Sequence, residues 1–239
     1  MEITFAIVGS DGTNDDANRL SRQHFDGMVI IAEGLLEQFA ESNYKITTLV
    51  SGGGAFADHS CVKLFLNKKV PNLRLYLPCE FEGGSFVNNP PNKIPYPEGA
   101  THDVASILNH YHKKFQLATH INSLSEIQIA KFKGAELLPC KGGFYDRNVM
   151  ISKSDFLLAM TFGNGAEIKS GGTCHTVKCY LERVRKEGIF DKSYHYDLNT
   201  GKLYMGCVIP HEKNETFKKE IAHRFQIPLH QIVAAHSSP

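Results

Sequence analysis

The chain has 239 residues, which is enough for one large α/β domain or two small ones. Its 26 Lys and Arg residues offset its 25 Asp and Glu residues, which gives a formal charge of +1. This charge excludes a general attraction to nucleic acid or to an anionic membrane, although it does not exclude a local basic patch. The six cysteines form no C-x-x-C pair, which indicates a reducing compartment. No apolar run approaches the ~20 residues of a membrane span and no basic leader precedes the first strand, so we expect a cytoplasmic protein without membrane partners.

The first third of the chain alternates between buried strands and amphipathic helices. Gly-rich turns follow the first two strands, at Gly9–Thr13 and Ser51–Gly54, and Asp58 can cap the helix after the second turn. Right-handed crossovers place both turns at one edge of a mostly parallel sheet with helices on both faces. The predicted elements are strands at Ile3–Val8, Lys45–Val50 and Leu73–Leu77 and a long helix at about Asn18–Ser42.

A proline-rich and glycine-rich insertion, at about Cys79–Gly99, interrupts this alternation. It predicts an ordered excursion over the surface, either a lid or a plain insertion. Helices are predicted at Thr101–Phe115 and at Ser123–Phe132, where Ser123-x-x-Glu126 fits a capping box. We expect one domain over residues 1–239, with a C-terminal extension from about residue 189 that includes a helix at Phe217–Phe225.

The stretch Ser154–Leu181 combines a strand, a glycine-rich loop and a helix start. Phe156–Thr161 is apolar throughout, as in a strand buried on both faces, and Phe162–Gly172 carries four glycines. The first amides of a helix lack partners and its dipole is positive there, so Gly171, Gly172 and Thr173 form a predicted anion site. An ordinary crossover with a flexible turn is the alternative.

Three glycine-rich turns on parallel strands converge on the carboxyl edge of the sheet, where open α/β sheets bind ligands. Their amides and small hydroxyls suit phosphate or ribose. None of them reads G-x-G-x-x-G or the P-loop pattern. Two further residues are candidates for this edge. Arg147 could bind a phosphate, or it could form an ion pair on the surface. His175 could contact a ligand, or it could be an ordinary exposed residue of the helix. Glu167 could accept a ribose hydroxyl or be solvated, and Asp11, Asp15 and Asp16 would repel phosphate unless they cap the helix or bind sugar hydroxyls.

Four short motifs occur in the order Gly9-Ser10, Ser51-Gly52-Gly53, Arg147-Asn148-x-x-Ile151 and Ser170-Gly171-Gly172-Thr173. They resemble those of the SLOG superfamily, a group of Rossmann-like proteins that includes the DprA/Smf DNA-processing proteins, the LOG phosphoribohydrolases and the YspA-like proteins. The resemblance covers about Ile3–Leu77 and Lys141–Gly188. The resemblance implies a Rossmann-like domain in three layers that binds nucleotides or nucleotide-derived molecules.

Carried over by position, the resemblance assigns the phosphate to Gly171, Gly172 and Thr173. Gly9, Ser10 and the turn of Ser51, Gly52 and Gly53 would complete the pocket, and Arg147 matches an arginine near the glycosidic bond in the hydrolytic members. LOG hydrolases follow their Gly-Thr with a catalytic glutamate, whereas this chain has Cys174-His175-Thr176. Glu167 or His175 would have to replace that glutamate.

Three functions follow as hypotheses. The first is a sensor or binding protein for a nucleotide-derived small molecule, with Asn148 and His175 among the ligand contacts. The second is a nucleoside 5′-monophosphate N-glycosidase, with Arg147 and Glu167 as catalytic residues. The third is DprA-like binding of single-stranded DNA, which the balanced charge and the lack of a basic, aromatic stripe disfavour. We expect no metal, no cofactor and a homodimer.

Overall fold

A computed structural model describes residues 2–13, 16, 18–88, 93–95, 101–169, 171–209 and 226–227. The strands of the described part are β1 (Thr4–Gly9), β2 (Thr48–Ser51), β3 (Asn72–Leu77), β4 (Glu80–Glu82), β5 (Ser85–Val87), β6 (Lys93–Pro95), β7 (Thr101–Asp103), β8 (Glu136–Pro139), β9 (Phe156–Thr161), β10 (Ser193–Asp197), β11 (Lys202–Met205) and β12 (Gln226–Ile227). Its helices are α1 (Arg22–Glu41), α2 (His59–Leu66), α3 (Val104–Thr119), α4 (Ser123–Phe132), α5 (Gly143–Ile151) and α6 (Gly172–Glu187). None of these helices is long and apolar enough to cross a membrane.

Eight strands form the central sheet in the order β12-β11-β10-β9-β1-β2-β3-β8. The six neighbouring strands β10-β9-β1-β2-β3-β8 pair in parallel. Strand β11 pairs antiparallel with β10, and β12 pairs antiparallel with β11. The chain builds outward from β1 through β2 and β3 to β8, then returns to β9 on the other side of β1. The strand order therefore reverses between β1 and β9, and the crevice beyond their carboxyl ends is where open α/β sheets bind ligands.

The two faces of the sheet carry different helices, which makes three layers. Alternate residues of β1 separate cleanly: Phe5 and Ile7 pack in the larger core with α1 to α4, whereas Ala6 and Val8 pack in the smaller core with α5 and α6. This alternation follows from the two-residue period of a strand. The α/β class, the three layers and the mostly parallel sheet predicted from the sequence are confirmed.

The helices form where apolar residues recur on one side. Helix α1 buries Phe25, Met28, Leu35 and Phe39, at the spacings of three, four and seven that make an apolar stripe. Helix α6 buries Val177, Leu181 and Val184 in the same way and ends at Gly188, whose φ of 64° is the left-handed conformation that glycine adopts at a helix C-terminus. Each of these fully buried side chains contributes about 1.5–3 kcal/mol through the hydrophobic effect.

Two predicted helix caps are wrong. Helix α4 is capped by Asn122, whose Oδ1 accepts a hydrogen bond from the Ser125 amide at 3.0 Å. Ser123 and Glu126 bind histidines instead. The carboxylate of Asp58 does not cap α2, because it turns back to accept the Gly54 amide at 3.0 Å. In both cases a tertiary partner competes with the local capping bond.

The insertion contains structure that the sequence pattern did not predict. Strands β4 and β5 form a hairpin around Gly83 and Gly84, and β6 pairs with β7. Phe86 of the hairpin is buried, and its backbone exchanges two hydrogen bonds with the side chain of Asn109 on α3.

Strands β10 and β11 extend the central sheet beyond residue 189. The predicted tail helix at Phe217–Phe225 lies outside the described residues.

Candidate ligand site at the carboxyl edge of the sheet

A cleft of about 390 Å³ opens where β1 and β9 end. The first and third glycine-rich turns, the start of α6, one face of α5 and part of α3 surround it. Its described lining is Val8, Gly9, Ser10, Asp11, Thr13, Asp16, Asp58, Ile107, Leu108, Tyr111, Phe144, Arg147, Asn148, Thr161, Lys169, Gly171, Gly172, Thr173 and Thr176. The cleft thus lies at the switch point of the strand order.

The N-terminus of α6 forms one side of the cleft. Gly171 precedes the helix with a φ of 122°, a conformation that a residue with a Cβ rarely adopts. Gly171 and Gly172 are exposed, and Gly171 accepts the first helical hydrogen bond, from the His175 amide at 3.1 Å. The amides of the first turn have no partner within the helix, so a negative group bound there would be stabilised by about 0.3–1 kcal/mol from the helix dipole alone.

Arg147 and Asn148 of α5 lie beside this helix start. Asn148 is buried, and its Nδ2 donates to the Gly172 carbonyl at 3.3 Å. Its Oδ1 accepts hydrogen bonds from Nε and Nη2 of Arg147 at 3.2 and 3.0 Å. The guanidinium lies over the ring of Phe144, 4.9 Å from the centroid. Asn148 therefore orients the arginine toward the α6 terminus, where Nη2 lies 3.8 Å from the place that a Gly172 Cβ would occupy.

The first turn requires glycine at position 9 for a steric reason. A Cβ there would lie 2.1 Å from the Met160 carbonyl oxygen on β9, so any larger residue would push the two central strands apart. The next residue, Ser10, donates from Oγ to Asp16 at 2.8 Å, and Asp16 also pairs with Nζ of Lys169 at 2.5 Å. These bonds join the first turn to the loop after β9.

Two carboxyl groups, of Asp11 and Asp58, lie near Arg147. Burial raises the pKa of Asp58 to about 6, although the positive charge of Arg147 and the amides of Gly54 and Gly52 lower it. Burial likewise raises the pKa of Asp11, against the hydrogen bond from the Thr13 amide and the charge of Arg147. Besides Asp16, which pairs with Lys169, the cleft therefore holds two carboxyl groups near the Arg147 guanidinium.

The floor of the cleft is fixed by a hydrogen-bonded histidine. His195 on β10 is buried, and its Nδ1 donates to the Gly165 carbonyl at 2.6 Å, so Nε2 accepts from the Thr161 hydroxyl at 2.9 Å. Burial lowers the pKa of His195 and favours this neutral form. The Thr161 oxygen in turn accepts the Lys169 amide at 3.1 Å. The loop after β9 is thereby tied to the floor.

Helix α3 supplies the apolar wall, through Ile107, Leu108 and Tyr111. It is held by His112, which is buried: Nε2 donates to the Gly53 carbonyl at 3.0 Å, and Nδ1 accepts from the Ser123 hydroxyl at 2.8 Å. Burial lowers the pKa of His112 to about 3, so the ring is neutral. The wall is thus connected to the second glycine-rich turn.

The structure brings together part of the predicted site. Gly9, Ser10, Arg147, Asn148, Gly171, Gly172 and Thr173 all line the cleft. Ser51, Gly52, Gly53, Glu167 and His175 are not in its lining. Ser51 donates to the Ile7 carbonyl at 2.8 Å, and Gly52 packs against Asp58 and Arg147. The Glu167 backbone pairs with Asn164 and Val208, and His175 packs on the ring of Tyr145, with centroids 4.1 Å apart.

The lining residues that sequence reasoning missed include Asp58, Lys169, Thr161 and the α3 wall. The sequence pattern predicts a helix cap at Asp58, and only the fold shows that its carboxyl group lies near Arg147. Tyr111 carries no sequence signal that distinguishes it from an ordinary half-buried helix residue. Among the described residues, no group of three His, Cys, Asp or Glu side chains could hold a metal ion.

Comparison with known proteins identifies a sequence relative. Protein R261 of Acanthamoeba polyphaga mimivirus is 37% identical over 177 residues, which span 73% of this chain and 89% of R261. R261 is described as uncharacterized, and no protein-family model matches the chain. The X-ray structure of DNA processing protein A (DprA) from Streptococcus pneumoniae is similar at a TM-score of 0.38 and 12% identity, over 82% of this chain. The chain spans 50% of that DprA chain.

Proposed function

The chain belongs to the same family as the mimivirus protein R261, and we propose that it binds a nucleotide or a nucleotide-derived small molecule in the cleft at the carboxyl edge of its sheet. The observation that carries the proposal is the convergence of the α6 N-terminus, Arg147 and Lys169 on one cleft at the β1/β9 switch point. We also propose that the chain is a member of the SLOG superfamily, on the four motifs of its sequence.

The arrangement supports one orientation of the ligand. A phosphate fits the first-turn amides of α6 at Gly172 and Thr173, where Arg147 can add a charge-assisted hydrogen bond. The opposite wall of Ile107, Leu108 and Tyr111 is apolar enough to cover a base. The sugar would then lie between them, near the carboxyl groups.

A panel of ligands tests the binding proposal. We expect at least one among the ribonucleoside mono- and diphosphates, ADP-ribose and the cyclic mononucleotides to raise the unfolding temperature of the protein saturably. Arg147→Met should abolish most of that shift. Lys178→Met is the control, because it removes one positive charge from the outer side of α6, where Lys178 is 57% exposed. The proposal fails if no ligand of the panel shifts the wild-type protein.

Hydrolysis of an N-glycosidic bond is the second candidate, and the carboxyl groups of Asp11 and Asp58 in the same cleft as Arg147 favour it. A carboxylate stabilises the oxocarbenium-like state of such a cleavage, and Arg147 can steady the leaving group or the phosphate. Chromatography of nucleoside 5′-monophosphates incubated with the protein would detect the free base. Release that survives Glu167→Gln but not Asp58→Asn would assign the carboxylate role to Asp58 rather than to Glu167.

A further inference from the structure

The carboxyl groups of Asp11 and Asp58 are an unusual feature of a cleft built for an anion. Both would repel a phosphate at close range, and neither forms an ion pair within 4.0 Å with Arg147 in the described part of the chain. Asp58 is only 7% exposed, and burying an ionisable group without a full ion pair is costly. A ligand group that donates hydrogen bonds would offset this cost.

We propose that Asp11 and Asp58 form a sugar subsite that binds the vicinal hydroxyls of a ribose, which makes the cleft selective for ribonucleotides over deoxyribonucleotides. This inference rests on the proposed function and adds recognition of the ribose, which the phosphate-binding residues do not contact.

The first support is the acceptor capacity that each carboxyl group retains. A carboxylate can accept about four hydrogen bonds. Asp58 accepts a hydrogen bond from the Gly54 amide at 3.0 Å, with a weaker contribution from the Gly52 amide. Asp11 accepts one from the Thr13 amide at 3.0 Å, with weaker contributions from the Thr13 hydroxyl and from its own amide. Both side chains line the cleft. Acceptor positions are therefore left on each group for hydroxyl donors of a ligand.

The second support is the position of the two groups relative to the phosphate-binding end. The space that a Gly52 Cβ would occupy has Asp58 Oδ2 at 2.8 Å and Arg147 Nε at 3.0 Å. The other end of the same guanidinium, Nη2, approaches Gly172 at the start of α6. The guanidinium thus spans from the phosphate-binding amides to the carboxyl groups. A sugar attached to a phosphate at Gly172 lies next to that guanidinium, within reach of Asp58.

The third support is the fixed placement of Asp58. Phe56, two residues earlier, has a φ of 50°, which is strained for a bulky residue, and its ring packs edge-on against Phe115 at a centroid distance of 4.8 Å. The strained turn returns the chain so that Asp58 faces Gly54 and the cleft. A carboxylate held in this way loses little conformational entropy when a hydroxyl binds.

Ribose selectivity can be tested by calorimetry. AMP, GMP, CMP and UMP are each compared with their 2′-deoxy and 3′-deoxy forms. Loss of one hydrogen bond to a charged acceptor costs about 1.5–3 kcal/mol, so the best ribonucleotide should bind about 10- to 100-fold more tightly than either deoxy form. Asp58→Asn should reduce that ratio to less than about threefold, because the amide offers one acceptor in place of two.

Asp146→Asn is the matched control. Asp146 accepts a hydrogen bond from the amide of Gly142, four residues earlier, just as Asp58 accepts one from the amide of Gly54. Unlike Asp58, Asp146 is exposed and does not line the cleft. This variant should keep the wild-type ratio. Asp11→Asn is the second test variant and should lower the ratio in the same direction, in case Asp58→Asn does not fold.

The outcomes separate the two proposals. Ribonucleotides and deoxyribonucleotides that bind the wild-type protein equally well would overturn the sugar subsite and leave the nucleotide-binding proposal intact. A preference for ribose that persists unchanged in both Asp58→Asn and Asp11→Asn would also overturn it. Failure of all the ribonucleotides to bind would instead overturn the proposed function itself.

Discussion

At the scale of single residues, the cleft depends on a few groups whose surroundings change their chemistry. Asp58 is the clearest case, because a carboxyl group that would be ionised at the surface is held in a buried turn. His112 and His195 are buried in neutral forms and serve as hydrogen-bonding links. Each of these properties comes from contacts between distant parts of the chain, so none of them is visible in the local sequence.

The titration of Asp58 gives a test with a definite sign. Its pKa is raised from 3.8 to about 6 in the folded protein, so the folded state holds a proton that the unfolded chain releases. The free energy of unfolding therefore falls as the pH rises from 3.8 to about 6. Asp58→Asn has no such titrating group, so it does not lose this stability as the pH rises. The free energy of unfolding of the variant minus that of the wild type should therefore increase by about 2 kcal/mol between pH ~4 and pH ~7. Urea denaturation at these two pH values measures the difference, and a pH-independent difference would contradict the assigned burial.

Two glycines near the cleft should respond differently to alanine. Gly9→Ala places a methyl group 2.1 Å from the Met160 carbonyl oxygen, and a backbone atom in the sheet cannot move away. We expect a loss of about 3 kcal/mol or a failure to fold. Gly52→Ala meets side-chain rather than backbone atoms, Asp58 Oδ2 at 2.8 Å and Arg147 Nε at 3.0 Å, so the added methyl group disturbs the proposed binding groups rather than the sheet. Its stability should change by less than about 1 kcal/mol while nucleotide binding weakens at least tenfold. Equal stabilities of the two variants would be the contrary result.

At the scale of elements, the site is assembled by helix ends and turns that the sheet holds in register. Helix α6 presents its N-terminus because β9 ends beside β1, and α5 brings Arg147 to it from the same face of the sheet. Helix α3 lies in the layer on the other face, and besides its apolar contacts in the core, His112 and Asn109 bind it to the second turn and to the hairpin.

The His112 link can be tested against a neighbour on the same helix. His112→Leu replaces the imidazole with an apolar side chain of similar size and leaves the Gly53 carbonyl and the Ser123 hydroxyl without their partner. The expected cost is about 2–4 kcal/mol in the free energy of unfolding. His110→Leu should cost less than about 0.5 kcal/mol, because His110 is exposed. Matching losses in the two variants would show that His112 does not hold α3.

At the scale of the whole molecule, the sequence predicted the architecture better than the site. Strand β9 and helix α4 were predicted with the bounds that the structure has. The fully apolar run identifies the strand, whereas the capping box that indicated the helix does not form, and the helix buries only Ser123, Ile127 and Ala130. The short strands β4 to β7 were missed, since three-residue strands carry no period to detect. For the site, the glycines and Arg147 could be predicted because turn chemistry and helix starts have local signatures. The sequence could not predict Asp58, Tyr111 and Lys169 as site residues, because only the tertiary packing brings them to the cleft.

The central claim is that a phosphate binds at the α6 terminus, and calorimetry of a nucleotide against its own nucleoside tests it most directly. AMP, GMP, CMP and UMP are titrated beside adenosine, guanosine, cytidine and uridine. At least one monophosphate should bind tenfold or more tightly than its nucleoside, a difference of about 1.4 kcal/mol, and Arg147→Met should remove most of that difference. Nucleosides that bind as tightly as their monophosphates, or a phosphate contribution that survives the loss of Arg147, would contradict the account.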